Sequence, residues 1–344
     1  MDLMEKLCRA SGVSGFEGGA SSLMMAELKK CCDTVLEDNI GNIIAVKGSG
    51  KPVIKLAAHV DEVGFVVKHI TKEGYLYFVK VGGIDDRILL DQRVIVKGRG
   101  DVVGIIGAKP PHMLSGSERK KVVKHDEMFI DIGAKNKKDA EKRVSVGDPI
   151  VFEPNYGVLN GKIFYGKAVD DRIGCYALIE IMKKIPKNLG CTVYAVATTQ
   201  EEVGLKGARV AAYRINPDFA IAVDTTLAGD MPGVTEKESD LKIGKGPAIT
   251  ILEASGRGVI SHPKLRSLME KTAKAKKIPV QIDVLEGGMT DAAIIYMTRE
   301  GIPSTVVSIP TRYIHGSSGV FHMDDVENSV KLVLETIKAL AKKK

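Results

Sequence analysis

The 344-residue chain contains no tryptophan, and aromatic residues account for only 5% of it. Its cores must therefore be built from Val, Ile, Leu, Ala and Met, and a hydrophobic fraction of 44% supplies enough of them. The five cysteines, at positions 8, 31, 32, 175 and 191, include no C-x-x-C pair. An odd set without that spacing excludes a disulfide framework and points to a reduced, cytoplasmic setting. No apolar run approaches the roughly 18 residues that a membrane helix requires, so a membrane is not an expected partner. Between Met1 and Ser11, Asp2, Glu5, Lys6 and Arg9 alternate with Leu3, Met4 and Leu7. That is the pattern of an amphipathic helix rather than the apolar centre of a signal peptide. A strong charge imbalance is missing too, the net charge being +7. The basic runs Arg119 to Lys121 and Lys342 to Lys344 have no interleaved aromatics, so they read as solvated surface and nucleic acid is not an expected partner.

What is present is length enough for two domains of about 150 residues. Two helices open the chain, Met1 to Ser11 and about Ser21 to Cys32, followed by strands at Gly41 to Lys47 and Val53 to Ala58. The turn Gly48-Ser49-Gly50-Lys51-Pro52 between them is not a phosphate loop, because Pro52 stands where Ser or Thr is needed. From Gly64 to Phe152 short β runs recur (Gly64 to Ile70, Tyr75 to Val81, Arg93 to Lys97, Val102 to Gly107, Met128 to Ile132, Asp148 to Phe152), with one short helix at Lys137 to Arg143. This spacing predicts a small β-barrel or sandwich. Helices and strands then alternate: helix Arg172 to Ile185, strand Cys191 to Thr198, helix Gly204 to Tyr213, strand Phe219 to Val223. Helix Pro263 to Lys276, strand Val280 to Val284, helix Asp291 to Arg299, strand Ser304 to Ser308 and a last helix from Met323 to Lys342 follow. Alternation of this kind predicts an α/β fold with a mostly parallel or mixed sheet covered by helices. Residues 1–62 and 153–344 form one discontinuous domain, and 63–152 is a small β-barrel inserted into it.

In open α/β sheets, reactive groups collect beyond the C-terminal ends of the strands. Five such places carry metal-binding side chains here: His59 with Asp61, Asp170 with Asp171, Glu201 with Glu202, Asp224, and His315. Singly, each has an ordinary explanation as an N-cap, a dipole-complementing acid or a lone histidine. Together they supply what two Zn²⁺ or Co²⁺ ions need: a terminal imidazole and a carboxylate for each, and one carboxylate shared by both. A carboxylate two residues after His59 can orient its ring, and a spare glutamate can act as general base toward a water or hydroxide bridging the two ions. The residue types alone do not decide which of Glu201 and Glu202 is the base.

The segments Ala58-His59-Val60-Asp61-Glu62-Val63-Gly64-Phe65, Gly166-Lys167-Ala168-Val169-Asp170-Asp171-Arg172-Ile173-Gly174, Thr199-Gln200-Glu201-Glu202-Val203-Gly204, Ala222-Val223-Asp224 and Arg312-Tyr313-Ile314-His315 resemble those of the M42 family of dinuclear metallo-aminopeptidases, the TET peptidases. Ser14-Gly15-Phe16-Glu17, Gly41-Asn42, Lys109-Pro110-Pro111-His112 and Gly287-Gly288-Met289-Thr290-Asp291 extend the likeness along nearly the whole chain. The resemblance implies a zinc-peptidase-like fold and removal of N-terminal residues from short peptides with free N-termini. It implies His59 and His315 as terminal ligands, Asp170 as the bridge, Glu202 and Asp224 as the remaining ligands, Glu201 as the base and Asp61 as the orienter of His59. It also implies a cis peptide between Asp170 and Asp171, a dimerisation role for the β-barrel, and a tetrahedral dodecamer. A small excess of negative charge over two divalent ions would suit the protonated α-amine of a peptide. The run Gly316-Ser317-Ser318-Gly319 departs from the family, which usually has Ser-Pro and then a glutamate there, so side-chain preference does not carry over. Two other readings compete: a glycoside hydrolase using Glu201 with Asp224 or Asp170, which has no need of two histidines, and a non-enzymatic binding protein with a structural metal, which would favour cysteine ligands.

Overall fold

The computed structural model describes residues 1–186 and 188–342, leaving Lys343 and Lys344 of the basic tail outside the described residues. Its main layer is an eleven-stranded mixed sheet. At the centre four parallel strands lie side by side in the order Thr192–Thr198, Val53–His59, Phe219–Leu227 and Ser304–Arg312. Their sequences are close to continuously apolar, as strands covered on both faces require. Lys55 is the one lysine among them. It is fully buried within Val53–His59, and its ammonium donates to the Ala208 carbonyl at 3.0 Å. Burial pulls its pKa down to about 8, against the pull of Asp291 and Asp38.

Helices Val169–Lys184, Pro263–Lys276 and Met323–Ala341 cover one face, where Ile173, Leu178, Ile181, Met269, Leu332 and Val333 join the largest core. Helices Lys206–Ile215 and Ala292–Ile295 cover the other, packing Ala208, Ala212 and Ile295 on Ala57 and Ala220. Pro at the first turn starts the helix at Pro263, and the His322 ring accepts from the Asp324 N–H at the start of the last one.

Between the end of Val53–His59 and the return of the chain to the sheet, strands Gly64–Ile70, Leu76–Val81, Arg93–Lys97, Asp101–Gly107, Phe129–Asp131 and Pro149–Phe152 close into a six-stranded barrel. Phe65 packs edge-on against both Phe78 and Phe152, with ring centroids 5.1 and 5.3 Å apart. Each such pair adds about 0.5–1.5 kcal/mol beyond area burial, a useful gain in a core without tryptophan.

Several elements differ from the sequence reading. The expected helix from Asp291 to Arg299 is helical only over Ala292–Ile295. Tighter i to i+3 bonds from Thr298 to Ile295 and from Gly301 to Thr298 take over. Arg299 then adopts a left-handed φ of 56°, lies over the Tyr213 ring and donates to the Tyr213 carbonyl, which turns the chain away. The short barrel helix stops at Ala140 rather than Arg143. Five strands are absent from the sequence reading: Thr34–Glu37, the hairpin pair Tyr156–Asn160 and Ile163–Gly166, Ala248–Leu252 and Gly319–His322. The hairpin turns at Gly161-Lys162, with Gly161 supplying the positive φ of 53° at the first central position of a two-residue loop.

Candidate metal centre

All five groups of candidate ligands converge at the C-terminal edge of the parallel strands. His59 is the last residue of its strand and pairs in register with Thr198, while Asp224 lies opposite Ser308. Glu201 and Glu202 occupy the loop beyond Thr198, Asp170 opens the helix that follows Ile163–Gly166, and His315 follows the strand ending at Arg312.

Asp170 lies between the two imidazoles. Its Oδ1 is 3.0 Å from His59 Nε2 and its Oδ2 is 3.3 Å from His315 Nε2. Glu202 Oε2 stands 3.2 Å from the same His315 nitrogen, and Asp224 Oδ1 is 3.8 Å from His59 Nε2. Two sets of donor atoms, His59 with Asp171 and Asp224, and His59 with Asp170 and Glu202, each lie within 4.8 Å of one another. Buried oxygens of Asp171 and Glu202 have no hydrogen-bond partner. Orphaned carboxylate oxygens grouped with imidazole nitrogens are a donor set suited to divalent cations of the zinc type, so the residues present fit such ions. The Asp170–Asp171 peptide is cis.

The support around these groups is more connected than the sequence suggested. His59 Nδ1 is 3.1 Å from the carbonyl of Asp61 and 3.6 Å from its carboxylate. That carboxylate is mainly engaged elsewhere, accepting from the Ser14 hydroxyl at 2.7 Å and from the backbone N–H groups of Glu201 at 3.0 Å and Glu202 at 3.2 Å. Glu17 adds a second tie, its Oε1 accepting from Gly15 N–H at 2.7 Å and Gln200 N–H at 3.2 Å. The segment Ser14 to Glu17 thus holds the glutamate loop. The N–H groups that Glu17 and Asp61 engage belong to the backbone and leave no residue signature, which is why the sequence alone pointed to no role for Ser14 and Glu17.

Beneath the site, Lys167 and Arg172 are fully buried. Lys167 Nζ meets the Glu62 carboxylate at 2.5 and 2.7 Å, and Arg172 donates to the Val60, Leu7 and Ala10 carbonyls. Gly319 pairs in register with Gly166, and a β-carbon on it would lie 2.9 Å from Val169 Cβ. The glycine-rich departure after His315 is therefore where the chain passes closely beside the start of the Asp170 helix.

In the ion-free protein the charges of the site act strongly on one another. Burial favours neutral His59, but Glu201, Asp170, Asp61 and Asp224 outweigh it and hold the ring charged well above the usual range. For His315 burial is likewise outweighed, by Asp170 and Glu202, and the pKa is pushed up to about 9. Burial pushes Glu202 up to about 7, with Asp170 adding and His315 opposing, and burial likewise raises Glu201 and Asp224. Asp170 goes the other way: burial would raise it, but the two imidazoles hold it as the carboxylate.

A family model described as M42 glutamyl aminopeptidase matches residues 41–332. The chain belongs to the M42 peptidase family. It is a peptide hydrolase of the aminopeptidase type. Among solved structures, an M42-fold TET aminopeptidase from a marine-sediment Thaumarchaeota archaeon is 43% identical, with a TM-score of 0.94 over 98% of this chain and 95% of that one. A Pyrococcus horikoshii TET1 peptidase, described as able to assemble into a tetrahedron or a large octahedral shell, is 36% identical, with a TM-score of 0.87 over 97% of this chain and 98% of that one. The lysyl aminopeptidase of Pyrococcus furiosus is 35% identical over 98% of both chains. Among the described residues, no helix is long and apolar enough to cross a membrane. Histidines outside the site have other surroundings: His125 stands 3.5 Å from Asp86 on the barrel, His262 stands just before the helix that starts at Pro263 without a capping bond from its ring, and His112 is exposed.

Proposed function

We propose that this M42 peptidase removes N-terminal residues from short peptides. His59, Asp170 and Asp224 hold one divalent ion, His315, Asp170 and Glu202 hold the other, and Glu201 is the general base. The observation that carries the reading is the carboxylate of Asp170, whose two oxygens address two different imidazoles at 3.0 and 3.3 Å. When bound, two Zn²⁺ or Co²⁺ ions activate a water near neutral pH and polarise the scissile carbonyl. Glu201 is buried beside His59 and Asp224, where burial raises its proton affinity. That environment lets it take a proton from the attacking water and return it to the leaving amine. Asp61 places Glu201 by accepting its backbone N–H and accepts from His59 through its own carbonyl. The excess of carboxylates seats the α-ammonium of a free N-terminus.

The same proposal gives residues 63–152 a dimerisation role and the subunits a closed tetrahedral dodecamer in a reduced cytoplasm. Supporting it are the exposed apolar side chains of Tyr75, Tyr77, Val79, Val103 and Ile105 on the barrel, and five free cysteines. A glycoside hydrolase would leave both imidazoles without a task. A structural metal would call for thiolates, whereas the Cys175 thiol donates to the His59 carbonyl at 3.1 Å.

The test is a panel of aminoacyl chromogenic amides and matched acetylated peptides, with metal analysis before and after chelation. Activity is expected only on free N-termini, lost on chelation and restored by Zn²⁺ or Co²⁺. Equal rates on acetylated peptides, or full activity in the stripped protein, would refute the proposal.

A further inference from the structure

The two histidines are supported from different parts of the molecule. His59 is backed by Asp61, two residues along its own chain, with Nδ1 3.1 Å from the Asp61 carbonyl. His315 is backed by the barrel: its Nδ1 lies 2.8 Å from the carbonyl oxygen of Gly83, just beyond the barrel strand Leu76–Val81. A carbonyl can only accept, so this contact requires a hydrogen on Nδ1. In the neutral ring Nε2 is then the bare nitrogen, and it is Nε2 that faces Asp170 and Glu202. The approach is close. A β-carbon on Gly83 would lie 3.3 Å from His315 Nδ1, and one on Gly82 would lie 3.5 Å from Glu202 Cβ. The loop beyond His315 leans on the barrel as well, since a β-carbon on Gly316 would lie 3.6 Å from Ile88 Cδ1.

We infer that Gly83 is a positioning residue: its carbonyl selects the Nδ1–H form of His315 and aims Nε2 at the ion position shared with Glu202 and Asp170, so that the inserted barrel sets one of the two metal positions. The inference rests on the dinuclear reading above. Orientation of a histidine ligand through its other ring nitrogen is typically worth 10–100-fold in metal affinity. Gly83 does not have a positive φ, so a β-carbon there strains no backbone and acts by displacing the ring it faces.

Two measurements on the full chain test this. Zn²⁺ titration by calorimetry with metal analysis compares the wild type with Gly83→Val. The variant is expected to keep one ion at wild-type affinity and bind the second about 10–100-fold more weakly. Solid-state NMR of the stripped, ¹⁵N-histidine-labelled wild type at alkaline pH, with His315 assigned through His315→Gln, is expected to show the Nδ1–H form. Two ions bound equally well by Gly83→Val, or an Nε2–H ring in the wild type, would overturn the inference. Should Gly83→Val not fold, the wild-type spectrum decides. A wild type that takes up fewer than two ions refutes the dinuclear reading instead, and the ring's tautomer still judges the role of Gly83.

Discussion

Asp61→Asn separates two roles that a single carboxylate could play. In the structure its fully buried oxygens accept from Ser14 Oγ–H and from the N–H groups of Glu201 and, part-buried, Glu202. An asparagine keeps the shape but has only one acceptor oxygen. If that oxygen stays opposite Glu201 N–H, the new NH₂ meets Glu202 N–H donor to donor; if the amide flips, Glu201 N–H is left without an acceptor. Either way one N–H that is buried or part-buried is orphaned, at about 1–3 kcal/mol, and the remaining bonds lose their charge assistance, for roughly 2–4 kcal/mol in all. At about 2 °C per kcal/mol for a chain of this length, the Tm of the metal-free variant falls by roughly 4–8 °C. Ser14→Ala, losing one hydrogen bond, costs about 1 kcal/mol. The Asp61 carbonyl still faces His59 Nδ1. Asp61→Asn is therefore expected to retain both ions by metal analysis, while kcat falls about 10²–10³-fold through a displaced Glu201, within the range that general base catalysis contributes. Loss of metal with normal turnover per loaded site would refute this, and so would a Tm no lower than that of Ser14→Ala; the first result would return Asp61 to the role of orienting His59 through its carboxylate.

Glu201→Gln is expected to keep its metal and lose turnover by about 10²–10⁴-fold, whereas Glu202→Gln loses metal; equal metal loss in both would undo that division of labour. His315 is pushed up to about 9 and Glu202 up to about 7 in the ion-free protein. Below those values protons occupy the donor atoms and an incoming ion must displace them, so affinity falls as the pH falls from 9. Calorimetry at pH 7 in buffers of different ionisation enthalpy should read at least about one proton released per pair of ions, and none would refute the coupling. Lys167→Met leaves the Glu62 carboxylate buried with Arg172 3.5 Å away. It should destabilise the stripped protein by about 3–5 kcal/mol in denaturant unfolding, and a change under about 1 kcal/mol would mean the pair is dispensable.

The candidate metal-ligand side chains stood out in the sequence because their chemistry is unusual at strand ends: His59, Asp170, Glu202, Asp224 and His315 each follow a run that reads as a strand or open a helix. The mixed α/β sheet was legible for a related reason, since strands buried on both faces are nearly continuous in Val, Ile, Leu and Ala. What could not be read were contacts made by the backbone. The hold of Asp61 on two amide groups, of Glu17 on Gln200, and of Gly83 on His315 each use N–H or C=O groups that every residue carries. Asp171 was visible as an acid beside Asp170, but nothing in the spacing showed its carboxylate within reach of His59 and Asp224. The shortened helix at Ala292–Ile295 failed for a tertiary reason, the capture of Arg299 by Tyr213 across the fold.

The strand Ser304–Arg312 pairs along most of the length of Phe219–Leu227, and His315 lies just beyond it. On the proposed ligand set, a chain emerging from the ribosome through Asp224 already carries four of the five metal-binding side chains. It still lacks both the fifth and the strand that completes the central sheet. On that ligand set, hydrolytic competence waits for the strand that completes the central sheet, because His315 follows directly after it. A copy cut before Ser304 is then no stray peptidase, because the loss that spoils its sheet also removes His315.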